Sequence, residues 1–150
     1  MIRMRIPTKT DYEIMLPIMK KYKISEELLR SDNQSTFIMI EKNKIIGLSK
    51  YFIHNKIGVI NLMAYDIDFM DNNYRDAFFR GTLNLMLNNG LYEGIIMTTE
   101  ENDTFYKDYG FDFIEPSLLQ LLKKNNLNRN SIKNAFKIDI EAFFNRPCME

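Results

Sequence analysis

Three β-rich runs separated by short polar loops constrain the fold of this chain most strongly. The runs are STFIMIE, IIGLSKYFI and VINLMAYDIDFM, and the loops between them are KNK and HNKIG. Loops this short can join only antiparallel neighbours, because a parallel connection needs a crossover of about a dozen residues or more. The sequence therefore predicts an antiparallel meander over about residues 35 to 70.

A helix and a further strand are predicted directly after the meander. Residues 74 to 89 carry an apolar stripe at helical spacing, made by Phe79, Leu83, Met86 and Leu87. Gly90 is typical of the position just beyond a helix C-terminus. EGIIMTTE (residues 93 to 100) has the composition of a strand. We expect this strand–helix–strand unit to be a right-handed crossover, which makes its two strands parallel.

The segments on either side give weaker signals. MIRMRI predicts a first strand that ends at Pro7, and TKTDYEIMLPIMKKY predicts a helix that Pro17 kinks or splits. SEELLRSD predicts a second short helix. After the crossover, ENDTFYKDYG predicts a short helix or turn, while FDFIE and SLLQLLKK predict a final hairpin across Pro116. In the tail we expect one or two short helices, the last capped by Asp139.

Together these elements predict a mixed α/β (α+β) domain. Its central mixed sheet contains the antiparallel meander, and helices cover both faces. We place the domain at residues 1 to 124. Residues 125 to 150 then form a C-terminal extension, packed on the same domain or on a partner subunit.

Composition narrows the classes of partner. Lys plus Arg number 20 and Asp plus Glu number 20, so the chain lacks the basic balance typical of nucleic-acid binding. No apolar run reaches the roughly 18 residues of a membrane span, and the N-terminus has no apolar secretory segment. Cys148 is the only cysteine, which fits a reducing cytoplasm, and we interpret it as a free thiol without a role. His54, the only histidine, has no partner at metal-ligand spacing, so we expect no metal.

The order of elements resembles the GNAT acyltransferase superfamily, whose members move an acetyl group from acetyl-CoA to an amine. FIMIEKNKIIG (residues 37 to 47) is similar to the second strand, turn and third strand of that family. DNNYRDAFFRGTLNLML (71 to 87) is similar to its phosphate-binding loop and helix, and FYKDYGF (105 to 111) to its FYxxxGF element. The resemblance covers about residues 1 to 124 and implies acetyl-CoA as acyl donor.

The phosphate-binding loop of the family reads Arg or Gln, two residues, Gly, one residue, then Gly or Ala. Arg75 matches this pattern, but Phe78 and Arg80 stand where the two small residues belong. The resemblance implies that acetyl-CoA contacts the backbone near Met70 and a following segment made of Arg75, Asp76, Ala77, Phe78, Phe79, Arg80 and Gly81. The two arginines can compensate for lost backbone access, since arginine recognises phosphate well. Alternatively, they are solvated helix charges and Phe78 is an ordinary apolar residue.

Four side chains are candidates for the chemistry. In the family the Tyr of the FYxxxGF element, here Tyr106, is often the general acid that protonates the departing thiolate. Alternatively, Tyr106 packs in the core. Asp66 and Asp68 share one face of a strand, so together they could bind a cationic acceptor, and one could deprotonate it. Glu100, at the end of the next strand, is a third candidate carboxylate. Alternatively, all three acids are surface groups at strand ends.

We therefore expect an N-acetyltransferase that acts on a small-molecule or peptide primary amine by direct attack in a ternary complex. The alternative from another class is a non-catalytic GNAT-like module that binds a ligand or a protein. In that case Phe143 and Phe144 could dock on a second copy of the chain as a homodimer. A third alternative is an acyl-CoA enzyme with a non-amine acceptor.

Overall fold

The computed structural model describes residues 1–30, 35–68, 71–98, 100–124 and 132–145. Six strands form one sheet, whose spatial order is also their order along the chain. The strands are β1 (Ile2–Arg5), β2 (Thr36–Glu41), β3 (Lys44–His54), β4 (Ile57–Tyr65), β5 (Glu93–Thr98) and β6 (Asn134–Asp139). The helices are α1 (Tyr12–Lys21), α2 (Glu26–Arg30), α3 (Asn72–Asn88), α4 (Glu100–Lys107), α5 (Pro116–Lys124) and α6 (Ile140–Phe144). No helix in the described part of the chain is long and apolar enough to cross a membrane.

The chain divides into two compact units. The first unit comprises residues 1–51 and 62–85, and the second comprises residues 52–61 and 86–150. In the first unit, α1 and α2 pack the apolar side chains of Met15, Ile18, Met19, Leu28 and Leu29 against buried residues of β2 and β3. In the second unit, Val59 of β4, Ile95 of β5 and Leu122 of α5 belong to a separate buried cluster.

The predicted antiparallel meander is confirmed. β2 pairs antiparallel with β3, and β4 is the next strand of the sheet after β3. β1 extends this part of the sheet by pairing antiparallel with β2. Lys42 and Asn43, between β2 and β3, have φ angles of 51° and 61°. Asn55 and Lys56, between β3 and β4, have φ angles of 48° and 67°. Two successive residues with positive φ form the tight hairpin turn whose twist matches that of the flanking strands, so both connections keep their strands adjacent.

The parallel strand pair across α3 is also confirmed. Gly58–Ile60 of β4 pair in parallel with Gly94–Ile96 of β5. The two glycines that begin this pairing allow a close approach of α3. A Cβ atom on Gly58 would lie 2.4 Å from the methyl carbon of Met86, and one on Gly94 would lie 3.3 Å from it. The absence of a side chain at both positions therefore leaves the space that the Met86 side chain, near the C-terminal end of α3, fills against these strands.

The predicted hairpin across Pro116 is wrong. Pro116 begins α5, and a proline is well suited to the first turn of a helix because its missing N–H would have no intrahelical partner there. The leucines of SLLQLLKK have helical rather than alternating spacing, and Leu122 is fully buried. The next strand is β6, which pairs antiparallel with β5 over six residue pairs. The predicted cap is confirmed, because the Asp139 carboxylate accepts the Ala142 N–H at 3.0 Å.

The first helix starts at a partly buried ion pair. Both terminal nitrogens of Arg5 donate to the two carboxylate oxygens of Asp11, and the Thr8 N–H donates to the same carboxylate at 2.7 Å. The Arg5 hydrogen bonds hold the pKa of Asp11 well below its ordinary value, although burial opposes this effect. Pro17 lies on the exposed side of α1, which continues past it, so the predicted split of this helix does not occur.

The predicted domain limits of 1 to 124 and 125 to 150 stay a prediction. Residues 134 to 144, within the predicted extension, form β6 and α6. Phe136 of β6 is fully buried, and its ring stacks on that of Phe113 at a centroid distance of 4.6 Å. The extension therefore contributes a strand and core side chains to the second unit.

Candidate functional site

The start of α3 is capped by a carboxylate. Asp71 accepts the Tyr74 N–H at 2.9 Å through its side chain and the Arg75 N–H at 3.0 Å through its carbonyl. The helix begins at Asn72, two residues earlier than predicted. The free backbone N–H groups that could hold a phosphate belong to the first turn of a helix. The segment from Arg75 to Gly81, predicted to contact the cofactor, therefore starts within the first turn and continues into regular helix.

Phe78 occupies the core of the first unit. Its ring is fully buried, lies 5.8 Å from the Phe37 ring in a stacked arrangement, and meets the Tyr65 ring edge-on at 6.0 Å. Phe79 is also fully buried, and Ala77 is partly buried beside Phe78. At this position the GNAT pattern has a glycine that lets the backbone approach a ligand. Here the side chain instead binds the helix to the sheet.

Gly81 is a packing glycine. A Cβ atom at this position would lie 2.9 Å from the Phe37 ring and 3.1 Å from the Met4 sulfur. These distances are too short for an ordinary contact, so a larger residue would push α3 away from β1 and β2. The glycine thus lets the helix pack closely on the two strands.

The two arginines of this segment have different surroundings. The guanidinium carbon of Arg75 lies 5.0 Å from the centre of the Tyr65 ring, within the range of a cation–π interaction. Arg80 donates through its Nε to both carboxylate oxygens of Asp76, at 3.0 and 2.9 Å. About half of the Arg80 side chain is exposed. Arg80 is thus a solvent-facing cation whose charge Asp76 offsets.

Asp66 and Asp68 converge on one lysine. The Lys21 ammonium lies 2.9 Å from Asp66 Oδ1 and 2.7 Å from Asp68 Oδ2, and the Lys44 ammonium lies 3.6 Å from Asp66 Oδ2. Asp66 is buried, whereas Asp68 is exposed. The Tyr22 hydroxyl also accepts the Ile67 N–H at 3.0 Å. These contacts fix the end of α1 against the residues that follow β4.

The charges of this cluster determine what Asp66 can do. Burial alone would raise the pKa of Asp66, but Lys21, the Asp68 N–H and Lys44 together lower it. The two carboxylates raise the pKa of Lys21 in turn. Asp66 is therefore ionised at neutral pH and is a weak proton acceptor. Chemically it is better suited to holding Lys21 than to removing a proton from an amine.

Tyr106 lies in the core of the second unit. It belongs to α4, is 1% exposed, and its ring lies 5.1 Å from Phe105 and 6.3 Å from Phe136. A general acid must reach the leaving sulfur of the thioester. The predicted aromatic packing of Tyr106 is thus observed, and its role as an acid stays a prediction.

The remaining candidates are placed as follows. Glu100 is the first residue of α4. Met70 and Cys148 lie outside the described residues. His54 ends β3 and lies 3.4 Å from the side-chain amide of Asn55. The described residues contain no group of three His, Cys, Asp or Glu side chains that could hold a metal ion.

Sequence reasoning did not single out Lys21, Lys44 or Asp71. Asp71 carried a usable signal, because an aspartate directly before an apolar-periodic run is a common helix cap. Lys21 is 45 residues from Asp66 along the chain, and no local pattern announces such a contact. Only the packing of α1 brings the two side chains together.

Solved structures identify the architecture. The acetyltransferase of GNAT family from Staphylococcus aureus superposes with a TM-score of 0.70 at 11% identity, over 93% of this chain and 99% of that one. The N-acetylglutamate synthase from Neisseria gonorrhoeae, in complex with coenzyme A and N-acetylglutamate, gives a TM-score of 0.72 at 14% identity. The chain has the GNAT fold.

A third example is the ribosomal-protein-S18-alanine N-acetyltransferase from Escherichia coli, with a TM-score of 0.65 at 13% identity over 91% of both chains. The superposition on the Neisseria synthase includes 93% of this chain but only 35% of that longer protein. No protein-family model and no curated protein sequence matches the chain. Identities of 11–14% establish the GNAT fold, and the activity has to be argued separately.

Proposed function

We propose that this chain transfers an acetyl group from acetyl-CoA to a primary amine in the cytoplasm. The observation that carries the proposal is the superposition of 93% of the chain on a complete GNAT acetyltransferase, with a TM-score of 0.70. The amine would attack the thioester carbonyl directly, with both substrates bound together. Much of the rate would then come from holding the two reactants in place.

Side chains rather than a glycine cradle would hold the phosphates of acetyl-CoA. Phe78 and Arg80 replace the small residues of the cradle, so the backbone at these positions cannot approach a pyrophosphate closely. The Arg80–Asp76 pair is exposed, and exposed pairs are weak, so Arg80 can exchange Asp76 for a phosphate at little cost. Arg75 adds a second cation one turn earlier, near the positive end of α3.

The acceptor would be an amino acid or a peptide amine. The Neisseria structure contains N-acetylglutamate, and the Escherichia coli enzyme is named for an alanine of a ribosomal protein. Asp66 is a poor base because its pKa is lowered, so we assign acceptor binding or deprotonation to Asp68 or Glu100. Asp66 would act indirectly, by positioning Lys21 beside Asp68. Tyr106 is the proposed acid for the departing thiolate.

Binding of the donor is the first test. Acetyl-CoA and CoA should raise the melting temperature in a thermal-shift experiment, since a ligand that binds only the folded state stabilises it by about 2.7 kcal/mol at 100 times Kd. Arg75→Gln and Arg80→Gln should weaken CoA binding. Arg3→Gln, a change at an exposed arginine of β1, should leave it unchanged. No shift at millimolar CoA would overturn the proposal.

Turnover is the second test, followed by release of free CoA with a panel of amino acids and peptides. Tyr106→Phe keeps the ring packed against Phe105 and Phe136 and removes only the hydroxyl. We expect kcat to fall at least tenfold, as for loss of a general acid, with little change in the Kd for CoA. Tyr109→Phe is the matched control, and unchanged turnover in Tyr106→Phe would remove Tyr106 from the mechanism.

The burial of Phe78 favours a second candidate function, a non-catalytic module with the GNAT fold. A fully buried ring at the cradle position, with Asp71 and Asp76 nearby, is an unusual environment for a polyphosphate. This module would bind a protein, for example a second copy of the chain through Phe144, which is 36% exposed, whereas Phe143 is buried and cannot dock as predicted. It predicts no CoA binding together with a dimer in sedimentation analysis, whereas the transferase predicts CoA binding in either oligomeric state.

A further inference from the structure

A cavity of about 400 Å³ lies at the start of α1, in the first unit. Its lining within the described residues consists of Pro7, Thr8, Lys9, Tyr12, Met15, Leu29 and Thr36. Small-molecule sites in proteins have volumes of about 300–1,000 Å³, with mostly apolar walls and a few polar groups. The cavity thus has the size and lining of a site for a small ligand.

This cavity is distinct from the candidate acetyl-transfer site. α1 runs from Tyr12 at the cavity to Lys21, which binds Asp66, and nine residues of helix span about 13 Å. β2 shows the same separation, because Thr36 at its start lines the cavity and Glu41 at its end pairs with Lys44. The cavity and the Asp66 cluster therefore lie at opposite ends of the same layer.

The Tyr12 hydroxyl supplies a polar group that the fold does not use. It is buried and has no hydrogen-bond partner among the residues that the structure describes. A buried hydroxyl without a partner costs about 1–3 kcal/mol, and tyrosine hydroxyls in folded proteins usually find one. Phenylalanine would pack equally well in this place if the hydroxyl had no role. An oxygen atom of a ligand in the cavity would provide the missing partner.

The described lining of the cavity contains one charged side chain, and it is positive. Lys9 is exposed and is the only charged residue among the described residues that line the cavity. Asp11 could have neutralised it, but its carboxylate is already held by Arg5 and the Thr8 N–H. A ligand head group with negative charge would therefore meet a cation and a hydroxyl. The apolar side chains of Met15 and Leu29 would meet its hydrocarbon part.

From these observations we propose that the cavity binds a small amphipathic carboxylate of roughly ten non-hydrogen atoms. The carboxylate contacts the Lys9 ammonium and accepts a hydrogen bond from the Tyr12 hydroxyl. The hydrocarbon chain packs against Met15, Leu29 and Pro7. This binding site is separate from acetyl transfer and does not depend on it.

Octanoate is the probe, observed by NMR on protein labelled at the methionine methyl groups. Met15 lines the cavity, whereas Met86 packs against Gly58 in the second unit. We expect octanoate to shift the Met15 signal, with a Kd of about 0.1–1 mM for a ligand of this size, and to leave the Met86 signal unchanged. Octylamine and octanol differ from octanoate only in the head group, and both should bind at least fivefold more weakly.

Two variants test the proposed contacts. Tyr12→Phe and Lys9→Gln should each weaken octanoate binding about threefold to tenfold, the range for one hydrogen bond or ion pair at a partly exposed site. Tyr92→Phe and Lys20→Gln alter exposed residues outside the cavity and should not change the Kd. Both cavity variants keep the apolar packing, and circular dichroism verifies that they are folded.

Three results would overturn the proposal. The first is equal binding of octanoate, octanol and octylamine, which would indicate apolar contact without recognition of the head group. The second is an octanoate Kd that neither Tyr12→Phe nor Lys9→Gln changes. The third is displacement of octanoate by CoA, which would assign the cavity to the acetyl-CoA site. Continued octanoate binding in a protein that fails to bind CoA would support the cavity site and separate it from the proposed transferase activity.

Discussion

Phe78 packs its ring between Phe37 and Tyr65, at a position where the GNAT pattern has a glycine. The substitution itself is visible in the sequence, but its consequence is not. An exposed phenylalanine at a helix start could have covered a ligand or a partner. Only the three-dimensional contacts show that the ring belongs to the core. Phe78 therefore stabilises the fold, whereas a glycine at this position would let a ligand approach the backbone.

Phe78→Ala should therefore be severely destabilising. Removing a fully buried phenylalanine ring typically lowers the free energy of unfolding by about 3–5 kcal/mol, through lost burial and the cavity left behind. Urea unfolding followed by circular dichroism measures the change. Phe144→Ala removes a ring that is 36% exposed and should cost much less. Equal losses in the two variants would contradict the assignment of Phe78 to the core.

Asp11 should make stability depend on pH in the acid range. Its pKa is lowered in the folded state, so its ion pair with Arg5 stabilises the protein above the unfolded-state pKa of about 3.9 and is lost as the pH falls toward the folded-state value. At pH 7, Asp11→Asn should reduce the free energy of unfolding by about 2 kcal/mol, the usual range for charged hydrogen bonds. Below pH 4 the difference from the unmodified protein should shrink.

Urea titrations at pH 7, 5, 4 and 3 measure this effect. Asp108→Asn, a change at an exposed carboxylate, serves as control and should show little difference at any pH. A difference between Asp11→Asn and the unmodified protein that grows as the pH falls would contradict the ion-pair explanation. Asp66 also has a lowered pKa, so it contributes in the same direction and within the same acid range.

At the scale of single elements, local chemistry decides which predictions are confirmed. The turns at Lys42–Asn43 and Asn55–Lys56 join strands of alternating or apolar character, and both were predicted from composition and loop length alone. α5 was missed because SLLQLLKK was interpreted as a strand that pairs with FDFIE. The leucine spacing in that segment and Pro116 at its start are in fact helix signals.

The Asp71 cap of α3 gives a prediction that links an element to ligand binding. Asp71 satisfies the first turn of the helix but places a negative charge where a phosphate would bind. Asp71→Asn keeps the cap, since asparagine caps about as well as aspartate, and removes the charge. If the chain binds CoA, the Kd should fall about twofold to fivefold, corresponding to the 0.3–1 kcal/mol of a charge near a helix end.

Calorimetry at low salt measures this Kd, and the gain should decrease as salt is added. Asp112→Asn removes an exposed carboxylate of the second unit and provides the control for a general change in net charge. An unchanged Kd in Asp71→Asn would show that the phosphates of CoA do not approach the start of α3.

For the molecule as a whole, more of the fold than of the site could be predicted from the sequence. The meander and the parallel crossover follow from periodicity and turn residues, which act within a few positions of each other. The contact of Lys21 with Asp66 and Asp68 depends on packing between segments 45 or more residues apart, so no local pattern encodes it. β6 was likewise missed because NAFKID becomes a strand only through its pairing with β5.

Removal of residues 125 to 150 tests the predicted domain boundary. The shortened chain lacks β6, which pairs with β5 at six positions, and it lacks the buried Phe136 and Phe143. We expect it to lose cooperative thermal unfolding, because β5 would expose both its edge and its apolar face. A chain ending at Asn145 retains β6 and α6 and should unfold cooperatively. A stable, cooperative 1–124 chain would support the boundary predicted from sequence.

The β2–β3 hairpin and the parallel β4–β5 pair are closed by chain segments of different length, and this difference affects the order in which they fold. β2 and β3 pair through residues 3 to 14 positions apart, whereas β4 and β5 pair through residues 36 positions apart, with α3 between them. Closing a long loop costs more entropy before any contact forms, and hairpins form in about 1–10 μs. We expect the hairpin to gain protection first when the unfolded chain is returned to native conditions. Pulse-labelled hydrogen exchange should then find the amides of residues 37 to 49 protected before those of residues 94 to 96. The reverse order of protection would contradict this expected order of folding. During synthesis, the hairpin would already be complete while β5 is still inside the ribosome.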